Sequence, residues 1–228
     1  MSIISVEHRS NLYWLGRYAE RVYTTLDTFF DYHDIMLDKD KNSYRSFLEK
    51  LDIEDKYDTY EKFMQDFLFG TEPFTISSAF QRAYDCALVI RGMIGSESLA
   101  YLELAANTFR SSQNAKNLRL ALMPVMDYML AYWGSIDDYI TISEVGTLVR
   151  FGKLVERLDL YFRLSYDSKY INGEYDKLCH IIARVRKDFC NPKQLAVLVE
   201  ILAIEGSYKE RLPEVLNSLN NLFEESAA

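Results

Sequence analysis

The amino-acid sequence predicts an all-α protein, an antiparallel helical bundle with an internally duplicated pair of long helices. Three observations carry the fold class. Apolar residues recur at steps of three and four through most of the 228 residues, the period of a helix with one buried face. Gly (9) and Pro (4) are scarce, so the chain lacks the turn punctuation of a β protein. No segment shows strand alternation bounded by turn signals. Hydrophobic residues make up 49% of the chain and charged residues 26%, ordinary values for a globular protein, and a chain this long can bury a substantial core. With no low-complexity linker, residues 1–228 read as one domain.

The first long helix is expected from Ser10 or Asn11 towards Met36. Its stripe runs through Leu12, Leu15, Gly16, Ala19, Val22, Leu26 and Phe29, and the polar segment 38–43 ends it. Tyr44–Leu51 and Tyr57–Phe69 read as modest helices. Gly70 to Pro73 forms a loop, and Thr75 or Ser77 can cap a helix through Ala79, Ala83 and Ile90 that Gly92 and Gly95 close. Ser96 opens the next helix, which continues to Phe109. After the polar stretch 111–117 comes an apolar helix over Leu118–Trp133, with Pro124 in its first turns or kinking it. Ser135 and Asp138 have the spacing of a cap. The second long helix is expected over Ser143–Tyr166. Helices over Tyr175–Phe189, Pro192–Ala203 and Glu214–Phe223 complete the chain, with Pro192 at a helix start. Short loops between long helices imply antiparallel neighbours.

Charge and composition exclude several function classes. The net charge is −8, whereas nucleic-acid binding draws its affinity from basic groups that displace counterions. The densest basic run, Arg184-Val185-Arg186-Lys187, is followed at once by Asp188 and reads as solvated helix surface. Cys86, Cys179 and Cys190 are odd in number and far apart, and give no disulfide framework. The first ten residues acquire charge early and lack a signal-peptide core. No apolar run approaches the length of a membrane span. Together these point to a cytoplasmic location. The three histidines, His8, His33 and His180, include no Glu-x-x-His pair of the kind that holds metals inside bundles. No phosphate loop, nucleophile elbow or zinc-protease motif is present, so the sequence calls for neither metal nor cofactor.

One feature stands out from this background. Residues 14–21, WLGRYAER, and residues 150–157, RFGKLVER, both place Gly four residues before an adjacent Glu-Arg pair. A constant offset of 136 residues separates Gly16 from Gly152 and Glu20 from Glu156. Glycine inside a helix costs about 1 kcal/mol relative to alanine, and close approach of a second helix is the usual compensation. Glu20 and Glu156 lie one turn beyond their glycines on the same face, so they border the seam. Neighbouring Glu and Arg diverge by about 100° on a helix and cannot pair with each other. They can pair across two helices, Glu20 with Arg157 and Glu156 with Arg21. Buried Glu–Arg pairs more often fix helix register than perform chemistry, although perturbed charges also cluster at active sites.

The segment Asn11–Arg21 resembles the opening motif of the Alpha-E proteins, a bacterial helical family named for its E-R motif. Phe151–Arg157 with Asp159 resembles the family's second motif, with Lys153 where arginine is typical. Ala83, Asp85, Ala87 and Arg91, then Ser96-Glu97, resemble its middle region, and Tyr132–Ser135 the stretch before the second motif. Cys86 and Leu99 replace the expected Asn and Trp, and Gly146 occupies a position usually aromatic. The similarity covers about residues 8 to 166.

Genes of this family commonly neighbour a circularly permuted ATP-grasp amide ligase and a transglutaminase-like peptidase. The resemblance therefore implies an accessory or partner protein of an ATP-grasp amide or peptide ligase system that makes or processes a small peptide or amide-linked metabolite. The alternative is an enzyme of the same pathway. In that reading Glu20 or Glu156 acts as general acid or base, while Arg17, Arg21, Arg157 and Lys153 hold a carboxylate or phosphate.

Overall fold

The computed structural model describes residues 4–38, 40–140, 144–185, 189–204 and 206–224. Among these, eleven α-helices form and no strand does; Cys190 and Phe223 make one isolated antiparallel bridge. The helices are α1 (Val6–Asp38), α2 (Tyr44–Leu51), α3 (Tyr60–Phe69), α4 (Ile76–Val89), α5 (Arg91–Ile94), α6 (Ser96–Ser111), α7 (Leu118–Tyr139), α8 (Glu144–Arg163), α9 (Ser168–Ile182), α10 (Pro192–Leu202) and α11 (Leu212–Asn220).

Several boundaries differ from expectation for local reasons. Helix α1 starts at Val6, earlier than Ser10, because Ser5 accepts a hydrogen bond from the His8 amide at 3.2 Å and so satisfies a first-turn donor. Thr59 caps α3 through the Lys62 amide, which leaves Tyr57 ahead of the helix. Ser135 and Asp138 do not form a cap; they lie inside α7, and the Ser135 hydroxyl bonds the Tyr132 carbonyl and Ser98. Pro124 also lies inside α7, on its exposed side, and the helix continues through it. Helix α8 ends at Arg163, short of Tyr166, and Ser165 adopts a left-handed conformation with φ 55°. Asp167 caps the Lys169 amide and so draws residues from Ser168 onwards into α9. Thr75 caps α4, and Asn191 caps α10 with Pro192 in its first turn, both as expected. Ser143, and the basic-run residues Arg186, Lys187 and Asp188, lie outside the described residues.

Helix α1 is central, packed along α8 on one side and α4 on another. Its stripe residues Leu12, Leu15, Ala19, Val22, Leu26 and Phe29 are buried. One continuous apolar core extends from Leu12 to Phe223. Near the C-terminal half of α1, Phe29, Phe47, Phe63 and Phe67 form edge-to-face and stacked ring pairs, a geometry aromatic rings favour beyond simple burial.

Helices α6 and α7, linked by a short loop, are antiparallel. In the α6–α7 pair, Ser98 meets Ser135 at one end and Ser112 meets Ala121 at the other. The duplicated pair behaves differently. Contacts between α1 and α8 rise together in number: Tyr13 with Phe151, Glu20 with Arg157, and Thr28 with Tyr166 just beyond the end of α8. The two long helices therefore run in the same direction. No helix among the described residues is long and apolar enough to cross a membrane.

Candidate functional site

The seam between α1 and α8 closes at the two repeat glycines. A methyl group added at Gly16 would overlap the Val149 carbonyl and lie 2.9 Å from the Lys153 amide nitrogen. One added at Gly152 would overlap the Tyr13 carbonyl and lie 3.0 Å from the Arg17 amide nitrogen. Val149 and Lys153 are the residues that correspond to Tyr13 and Arg17 under the repeat offset. The two approaches are thus one contact made twice, related by a pseudo-twofold axis between parallel helices. Only glycine leaves room for backbones at this distance.

One turn further on, the acidic and basic groups of the repeats meet across the seam. Glu156 is 5% exposed, and both its oxygens are engaged. Arg21 Nε donates to Oε1 at 2.5 Å, Arg17 Nε donates to Oε2 at 2.5 Å, and Arg21 Nη2 adds a longer bond to Oε2. Arg17 is 2% exposed. Its remaining donors reach the Tyr13 hydroxyl and the Asn220 side-chain oxygen at 3.2 and 3.0 Å. Asn220 also donates to Asp159, which accepts from Arg163. Burial by itself would raise the Glu156 carboxyl, but the charges of Arg17 and Arg21 outweigh it and hold the group at about 2, the expected result of paired cations and hydrogen bonds to the ionised form. Burial likewise opposes the charge on both arginines, and Glu156 overcomes it, raising them above the ordinary guanidinium range.

The second arm has the same plan and a different finish. Glu20 is fully buried. Arg157 donates to Glu20 Oε1 through Nε at 2.6 Å, and Thr24 donates to the same oxygen at 2.7 Å. Oε2 has no hydrogen-bond partner among the described residues. The repeat explains the difference. Position 153 corresponds to Arg17, whose guanidinium holds the second oxygen of Glu156. Here it is lysine, and its ammonium lies 3.9 Å from the centre of the Trp133 ring instead. Burial depresses the Lys153 pKa, with Glu20 partly offsetting the effect. Arg157 also extends to Glu174, which Lys177 shares.

The reciprocal pairs Glu20–Arg157 and Glu156–Arg21 are therefore present, and Arg17 joins the Glu156 arm. The six residues singled out from the sequence do not share one pocket. Arg17, Arg21 and Glu156 border a cleft of about 280 Å³ beside Asn220 and Phe74. Lys153 and Arg157 border another, of about 500 Å³, between α8 and α9. Glu20 lines neither. Sequence reasoning missed Asn220, Thr24 and Glu174. Asn220 and Glu174 come from distant helices whose sequences carry no repeat. Thr24 stands one turn after Glu20, a spacing that could have identified it. His33 bonds the Tyr60 hydroxyl and stacks on Phe29. Among the described residues no cluster of three or more His, Cys, Asp or Glu is placed to hold a metal ion.

The Alpha-E family model, described as a predicted alpha-helical domain with a conserved ER motif, matches residues 8–221. The chain belongs to the Alpha-E family. No curated protein and no solved structure matches it. In this Alpha-E chain the E-R dipeptides are Glu20-Arg21 and Glu156-Arg157, and their spacing has a geometric reason. Each Glu turns inward to the opposite helix's Arg, while its own neighbour turns to the opposite Glu. The matched region reaches Asn220, so it includes the C-terminal helix that closes over Arg17.

Proposed function

We propose that this Alpha-E protein is a non-catalytic helical partner of an ATP-grasp-type amide or peptide ligase system, and that its Glu–Arg centre is a structural clamp. One observation carries this reading: both glutamates are withdrawn from solvent and held by the opposite helix's arginines. A general acid or base must reach the proton it transfers. A carboxylate with no exposed oxygen, or with both oxygens in arginine hydrogen bonds, is ill placed for that role. Family gene neighbourhood supplies the ligase as the partner. Apolar surface for an encounter is available on α7, where Leu120, Met123 and Leu130 are more than half exposed and share one face.

The test is to mix the purified chain with an ATP-grasp-type amide ligase from the same organism. The expected results are co-elution and a change in ligase turnover, with the Glu20→Gln variant losing stability in step with any loss of the effect. Absence of both binding and a turnover effect would sink the proposal. Catalysis by the chain alone that Glu20→Gln abolishes with its folding intact would establish the enzyme alternative.

A further inference from the structure

The cleft between α8 and α9 carries more positive charge than the clamp uses, since of its cations only Arg157 belongs to the clamp. Five cations line it, from Arg150, Lys153 and Arg157 on α8 to Lys177 on α9 and Arg184 just beyond, against two carboxylates, Asp137 and Glu174. This concentration occurs on a chain with a net charge of −8. The carboxylates are already committed. Asp137 pairs with Arg150 at 2.8 Å, and Glu174 is shared between Arg157 and Lys177. Lys153 and Arg184 form no ion pair among the described residues.

The pseudo-twofold axis supplies the comparison. The opposite cleft is bordered by Arg17, Arg21 and Arg163, and each has an internal carboxylate: Glu156 for the first two and Asp159 for the third. Its counterpart keeps a surplus of positive charge. Arg150, Lys177 and Arg184 make the difference in charge, and lysine in place of arginine at position 153 leaves its ammonium over Trp133 while Glu20 goes to Arg157 and Thr24. A half-buried ammonium held by an indole face, with no acceptor for its donors among the described residues, is a point-charge binder for an oxyanion. At about 500 Å³, with Leu154 and Ile181 in its lining, the cleft has the size of a small-molecule site.

We propose that this cleft binds a small polyanion, a molecule presenting a phosphate group or clustered carboxylates, with Lys153 at its inner end and Lys177 and Arg184 at its rim. The experiment is calorimetric titration of the full chain, at constant ionic strength, with pyrophosphate in one arm and citrate in the other. Saturable one-to-one binding of at least one probe is expected. Lys153→Gln and the surface double variant K177A/R184A should each weaken it at least tenfold. Arg211→Ala, which removes an exposed cation paired elsewhere with Glu200 and Glu214, should leave it within twofold. Preference for pyrophosphate assigns a phosphorylated ligand, and preference for citrate a polycarboxylate. The proposal is overturned if neither probe saturates, or if binding is indifferent to both K153Q and the rim variant. Because it makes no use of the ligase, failure of one idea does not touch the other.

Discussion

A carboxylate enclosed as fully as Glu156 persists in ionised form because two guanidinium groups and their hydrogen bonds outweigh the cost of leaving water. Removing the negative charge leaves the buried Arg17 and the half-buried Arg21 without their counter-charge. Glu156→Gln is therefore expected to destabilise the fold by about 3–5 kcal/mol, measured by urea denaturation. The same residue sets an acid limit. Its folded-state pKa, about 2, lies below its ordinary value of 4.5, so the stability it contributes is complete above about 4.5 and is lost as pH falls towards 2. A plot of unfolding free energy against pH should fall across that window in the parent chain and flatten there in E156Q. On the other arm, Lys153→Arg gives the unpartnered Glu20 oxygen the kind of donor that Arg17 gives Glu156. A charge-assisted hydrogen bond contributes about 1.5–3 kcal/mol. K153R is expected to raise the denaturation midpoint, and an unchanged or lower midpoint would show that the longer side chain does not reach.

At the scale of the helices, glycine has opposite meanings in different places. Gly16 and Gly152 sit where α1 and α8 touch through their backbones. Gly173, inside α9, has nothing within 4 Å of where a side chain would begin. Gly16→Ala should destabilise by at least about 2 kcal/mol, because overpacking a closed contact outweighs the gain in helix propensity. Gly173→Ala should stabilise by up to about 1 kcal/mol. Thermal melts of the two variants, run side by side, check both signs. Much of this was legible in the sequence. Glycine, glutamate and arginine at a fixed offset foretold close approach and reciprocal pairing, because helical geometry alone decides which side chains share a face. The common direction of α1 and α8 was not legible, since loop lengths govern only neighbours in sequence and 136 residues separate these two. Boundaries at Ser5, Thr59 and Asp167 were misplaced because a cap depends on the backbone around it, which residue type alone does not fix.

At the scale of the whole molecule, the C-terminal segment locks the site from outside. Asn220 bonds both Arg17 and Asp159, Phe223 stacks on Tyr13 with ring centres 4.1 Å apart, and Leu219 and Leu222 are fully buried. Backbone bonds from Asn191 to Leu222 and from Glu224 to Phe189 fasten it further. Deleting residues 212–228 should therefore abolish cooperative unfolding of the whole chain, seen as loss of a sharp circular-dichroism transition, where a fraying tail would leave the transition intact. Nothing in the sequence of α11 announced this role. Its apolar spacing predicted a buried face, but which neighbour covered it depends on the order in which the helices stack. The α8–α9 cleft was hidden for the same reason: its cations are scattered over 35 positions, and Arg184 looked like one member of a solvated run.

The matched approaches of Gly16 and Gly152 have the form of an isologous contact, in which one surface meets its own duplicate. Between two separate copies of one chain, any change in that surface would have to appear on both sides at once. With the duplicates joined in a single polypeptide that constraint is lifted, and each half is free to diverge while the other keeps the join. Arginine at position 17 and lysine at position 153 are one such difference between the two sides.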